Sequence, residues 1–119
     1  MYVTFDTNQA YLDGAARAIL DDVALRLTSQ ANSKLLLISS LAPREGQGVE
    51  EQRLENVSAY IAKRGGDSDL SRIVAHPGGA ECKLPAPDQG CVELVFITEK
   101  DDVDQVVRDC CSGFTAPPN

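Results

Sequence analysis

Apolar residues fall along this chain in two rhythms. Tyr2, Val3, Thr4 and Phe5 form a short run suited to a pleated strand, and Asp6-Thr7-Asn8 turns the chain. From Ala15 to Leu27 the apolar residues Ala15, Ala16, Ile19, Leu20, Val23, Leu25 and Leu27 recur mostly at helical spacing. Asp13 is placed to cap that helix. Lys34 to Ser39 carries an unbroken Leu35-Leu36-Leu37-Ile38, which suits a strand buried on both faces. Pro43, Gly46 and Gly48 make Leu41 to Gly48 a loop. Val49 to Arg64 predicts a second amphipathic helix. Val49, Leu54, Val57, Tyr60 and Ile61 line one side, and Glu50, Glu51, Glu55 and Lys63 face water. Gly65-Gly66 stops it.

Arg72 to His76 reads as a third strand, Pro77 to Gly90 as a long Gly/Pro loop and Cys91 to Thr98 as the last strand. In that strand Val92, Leu94 and Phe96 alternate against Glu93, while Val95 and Ile97 leave both faces apolar. Asp101 to Cys111 predicts a short terminal helix, with Asp101, Asp102 and Asp104 favoured near its N-terminus by the helix dipole. Ser112 to Asn119 is expected to fray. The order β-α-β-α-β-β predicts an α/β (α+β) fold, a mixed sheet with two main helices packed on it. The expected division is one domain over residues 1–98 and a C-terminal extension over 99–119.

Composition narrows the function. The chain has 119 residues, 43% of them hydrophobic and 24% charged, enough for one core and little more. With no Trp, three Phe and three Tyr, that core must rest on Leu, Ile, Val and Ala. The formal net charge of −7 argues against nucleic acid, which needs a surplus of cations to neutralise phosphates. It also argues against an anionic membrane surface. No apolar run approaches the ~20 residues needed to span a bilayer, so no direct membrane insertion by this segment is expected. Residues 1–15 have neither a basic start nor an apolar h-region. The chain is read as part of a larger protein whose upstream portion holds any export signal or anchor.

Candidate chemistry is sparse. The four cysteines Cys82, Cys91, Cys110 and Cys111 permit disulfides and suggest an oxidising compartment. His76 is the single histidine. Neither the Cys82–Cys91 interval nor the adjacent Cys110-Cys111 pair has zinc-site spacing, so no metal is expected. Arg44-Glu45-Gly46-Gln47-Gly48 has a lone Gly-x-Gly with no Lys-Ser/Thr after it, so it is not a phosphate loop. No Ser/His/Asp or Cys/His grouping can be built around one strand histidine. The expectation is a non-catalytic domain without a cofactor.

Five stretches, in order, carry a family resemblance. Val3-Thr4-Phe5-Asp6-Thr7-Asn8-Gln9-Ala10-Tyr11-Leu12 resembles the opening strand and turn of the OmpA-like C-terminal domain, the peptidoglycan-associating module of bacterial envelope proteins. Arg53-Leu54-Glu55-Asn56-Val57-Ser58-Ala59-Tyr60-Ile61-Ala62-Lys63-Arg64-Gly65 resembles its second helix, with the arginine at the start and the closing glycine. Arg72-Ile73, Gly78-Gly79-Ala80-Glu81 and Val92-Glu93-Leu94 resemble the following strand, turn and final strand. The match spans roughly residues 2 to 98.

The resemblance implies a site. The family grips the diaminopimelate of the peptidoglycan stem peptide, using an aspartate for its ammonium and an arginine whose fork suits a carboxylate. Arg53 stands where that arginine belongs; an exposed helix arginine pairing with Glu50 or neighbouring acids is its other reading. Ala42 or Pro43 stands where the aspartate belongs, and neither can hold an ammonium. The family's asparagine ahead of the helix falls near Gly46, its Leu-Ser becomes Val49-Glu50, and its Arg-Arg before Val-Glu becomes Gly90-Cys91. Glu45, the nearest acid, can substitute only if the loop moves, and is read as solvated. The family often bridges the loop before its last strand, which implies a Cys82–Cys91 disulfide. The implied partners are the peptidoglycan stem peptide or, if the binding positions are lost, another envelope protein. The implied location is the periplasm or outer-membrane envelope. The expected role is anchoring a larger protein to the wall, and the alternative is a diverged interaction or assembly domain.

Overall fold

The structure, a computed structural model, describes residues 1–30, 32–64, 72–78 and 89–108. Its elements are β1 (Tyr2–Phe5), α1 (Gly14–Ser29), β2 (Lys34–Ser40), α2 (Gln47–Arg64), β3 (Ile73–Pro77), β4 (Gly90–Ile97) and α3 (Val103–Arg108). The four described strands make one sheet in the order β1-β4-β2-β3. β4 runs antiparallel to both β1 and β2, and β3 runs parallel to β2, so the sheet is mixed as expected.

Strand alternation sends successive side chains to opposite faces. On one face Val3, Phe5, Leu35, Leu37, Val92 and Leu94 meet Leu20, Val23 and Leu27 of α1 and Leu54, Val57 and Ile61 of α2 in the main core. On the other, Leu36, Ile38 and Ile97 form a second cluster. It is covered by Val103, Val106 and Val107 of α3 with Val95. The two-sided apolar character of Leu35–Ile38 and Val92–Ile97 is thus used on both sides.

Local chemistry sets the helix ends. Asp13 caps α1 by accepting from the Ala16 amide at 2.8 Å. Asp102 accepts from the amides of Asp104 and Gln105 at the start of α3. Arg72, beside β3, donates to the carbonyls of Leu27, Gln30 and Ser33 and so ties the end of α1 to the sheet. Tyr60 and Arg64 of α2 both donate to Asp21 of α1. Burial pushes the Tyr60 hydroxyl above its usual range, and its bond to Asp21 adds to that.

Besides small shifts in the ends of β3, β4 and α3, the structure departs from the sequence reading in these details. α2 starts at Gln47, two residues early, because Gly46 and Gly48 do not stop the chain from entering a helix whose later turns are anchored in the core. Glu50 does not face water: it is 5% exposed and accepts from the buried Ser39 hydroxyl of β2. Leu25 is 68% exposed, on the outer side of α1. The predicted stop at Gly65-Gly66 and the fraying of 112–119 lie outside the described residues. No helix among the described residues is long and apolar enough to cross a membrane.

Candidate functional site

Two tight turns face each other at one end of the sheet. In the first, the Gln9 amide donates to the Asp6 carbonyl, and Asn8 in third place takes a φ of 56°. In the second, the Glu45 amide donates to the Ala42 carbonyl, Pro43 occupies the second place and Arg44 in third place takes a φ of 75°. Proline second and a left-handed third residue is the pattern of a type II turn, which favours glycine at the third place. Asparagine tolerates that conformation and arginine does so at a cost. The Gly46 amide reaches the Asn8 side-chain oxygen and helps link the turns.

Arg53 of α2 extends between them. Its Nε donates to the Gln9 carbonyl at 2.8 Å and its Nη2 to the Asp6 carbonyl at 3.1 Å. Its guanidinium lies over the Phe5 ring, 4.9 Å from the centroid. The fork engages Glu45, Nη1 donating to Oε1 at 2.9 Å and Nη2 to Oε2 at 2.5 Å. The same carboxylate accepts from the Ala42 amide on Oε1 and the Asn8 amide on Oε2, each at 2.9 Å. Both side chains are 0% exposed.

Burial alone pushes the Glu45 carboxyl up. Hydrogen bonds from Arg53 and from the Ala42 and Asn8 amides, with the Arg53 charge, outweigh it and hold the group below its ordinary value of 4.5.

Room for the pair comes from Gly90. β4 begins opposite Phe5, with Phe5 and Gly90 in register, and Gly90 underlies the guanidinium. A Cβ there would overlap Arg53 Nη1 and crowd Glu45 Oε1.

The site residues suggested by sequence come together only in part. Arg53, Glu45 and Ala42 converge, and Pro43 stays exposed as the turn's second residue. Two readings are corrected. Arg53 is buried rather than exposed, and it pairs with the nearby acid Glu45 instead of Glu50; Glu45 is not solvated, because the short turn after β2 carries it inward, where four N–H donors surround it. Sequence reasoning missed Asn8, Gln9, Asp6 and Phe5 as partners of this centre. An asparagine third in a turn and a glycine at the position where the resembled family carries arginine were the available signals.

Cys91 is buried in β4, on the face opposite Arg53 by strand alternation. Cys82, Cys110 and Cys111 lie outside the described residues, as does the turn at Gly79-Ala80-Glu81. His76 is exposed on β3. Among the described residues no group of His, Cys, Asp and Glu could hold a metal ion. Among the described residues, one concavity away from this centre, between the start of β2 and the β4–α3 turn, is lined by Lys34, Arg72, Val74 and Lys100, and another is lined by Tyr2 and Thr4 of β1 with Asp13, Ala16 and Ile19.

No family model matches the chain, and no curated protein matches its sequence. Solved structures do match. The OmpA-like domain of FopA1 from Francisella tularensis aligns over 82% of this chain and 71% of its own, with a TM-score of 0.65 at 13% identity. The peptidoglycan-associated lipoprotein from Burkholderia pseudomallei aligns over 81% of this chain and 89% of its own, with a TM-score of 0.68 at 20% identity. The chain has an OmpA-C-like fold. Identities this low carry the fold and no more. Within this OmpA-C-like fold, the arginine predicted from the resemblance is enclosed by the two turns and committed to an internal carboxylate.

Proposed function

We propose that this is a non-catalytic cell-envelope domain of OmpA-C-like fold that no longer grips a wall peptide through Arg53 and acts as an interaction or assembly module of a larger envelope protein. An envelope role is supported by the two solved neighbours, one named an OmpA-like domain and the other a peptidoglycan-associated lipoprotein. Loss of wall binding is carried by one observation: the Arg53–Glu45 pair, with neither side chain exposed.

A ligand carboxylate would have to displace one that is already part of the chain and therefore present at high effective concentration. It would also have to break a buried pair, at a cost of about 3–5 kcal/mol where a charge is left without its partner. The ammonium end of diaminopimelate would find Ala42 and Pro43 where the family has an acid. Co-sedimentation with purified peptidoglycan sacculi tests the reading. The domain is expected to stay in the supernatant. Saturable pelleting would restore the wall-anchor role, with Arg53 and Glu45 rearranging around the stem peptide.

A further inference from the structure

The concavity beside the β4–α3 turn stands at the far end of the sheet from Arg53. β4 starts at Gly90, under the guanidinium, and ends at Ile97, in the wall of this cavity. Strand register decides what faces it. Lys34 lies opposite Ile97, and Leu36 lies between Val95 and Val74, so Lys34, Ile97 and Val74 share the face that α3 covers. α3 has six residues. Its Val106 and Val107 pack on the Leu36, Ile38 and Ile97 cluster, and Val74 is left 38% exposed. Val74, Ile97 and Val103 thus give an apolar floor to a cavity of about 730 Å³, a size suited to a small organic ligand.

Its rim is cationic. Lys34 and Lys100 are exposed there, and neither has an ion-pair partner among the described residues. The Asp101 carboxylate is committed instead to the Thr98 amide and hydroxyl, at 2.7 and 3.3 Å. Glu99 is exposed on the same turn and offsets one lysine, so a single negative charge suits this rim better than several. Lysine stems are themselves apolar and extend the floor up to the ammonium groups.

We infer that this cavity binds an amphiphilic monoanion: a free aliphatic carboxylate whose chain covers Val74, Ile97 and Val103 and whose head is held between Lys34 and Lys100. The site uses neither Arg53 nor Glu45, so it stands or falls apart from the proposed loss of wall binding.

The test is an NMR titration of the whole 119-residue chain with sodium octanoate, kept below micelle-forming concentrations, beside sodium butyrate and octylammonium chloride at matched ionic strength. Octanoate should shift the amides of Lys34, Val74, Ile97 and Lys100 saturably and with one dissociation constant, and leave those of Asn8 and Ala42 unmoved. Butyrate has less chain to bury and should bind at least about tenfold more weakly. Octylammonium should give no saturable shift at these amides. Joint replacement Lys34→Gln and Lys100→Gln should weaken octanoate binding about tenfold, and Val74→Asp, which sets an acid in the floor, should weaken it at least as much. All three side chains are exposed, so both variants are expected to keep the fold, which their amide spectra report. Octanoate shifts that do not saturate, that spread over the whole surface, that octylammonium matches or that persist unweakened in either variant overturn the inference, as does the absence of any shift.

Discussion

Arg53 and Glu45 form an ion pair with neither side chain exposed. An exposed ion pair contributes at most about 1 kcal/mol, but this one is enclosed, and removing one partner strands the other. Glu45→Gln is therefore expected to destabilise the domain by about 3–5 kcal/mol in urea unfolding. Because the Glu45 carboxyl sits below 4.5 in the folded domain, the folded state binds fewer protons there than the unfolded chain. Its stabilising contribution is present in full above the unfolded value and is lost as pH falls through the lowered one. The stability-versus-pH curve of the unsubstituted domain should decline across that acid range, and subtracting the Glu45→Gln curve should isolate the part that belongs to Glu45. Equal acid slopes would mean that the pair does not form in solution. Arg44 supplies the opposite test. Its φ of 75° is one that glycine adopts without strain, so Arg44→Gly is expected to raise stability by about 1 kcal/mol. A loss would show that the turn is not held as described. Of this centre, sequence disclosed Arg53 by its place in a motif. Glu45 was misread because loop acids are usually solvated, and only the geometry of the turn after β2 shows that its side chain points inward.

The elements were legible wherever hydrophobic periodicity was strong. Leu35–Ile38 and Val92–Ile97 announced a sheet apolar on both faces, and α1 and α3 meet those faces from opposite sides. The start of α2 was less legible, since Gln47 and Gly48 carry no apolar signal. Glu50 escaped because its helical phase aims it at Ser39 of β2, a polar residue continuing an apolar strand. α3 has a clear energetic role despite its six residues: Val106 and Val107 shield Leu36 and Ile38. Val106→Asp is expected to cost about 1–2 kcal/mol through lost apolar burial, read as a lower urea midpoint. An unchanged midpoint would show that α3 does not hold that face. At the head of β4, Gly90→Ala places a methyl against the guanidinium and should cost about 1–3 kcal/mol by overpacking.

For the whole molecule, an OmpA-C-like fold here holds an arginine whose fork is satisfied inside the chain, and fold and site are separable. Whether Arg53 is satisfied within the chain is measured most directly by an NMR titration of the isotope-labelled domain with a diaminopimelate-containing muropeptide. The resonances to follow are Arg53 Nε–H and the Asn8 and Ala42 amides. All three should remain unchanged up to millimolar ligand. Saturable shifts at these three groups would contradict the account and return the domain to the wall.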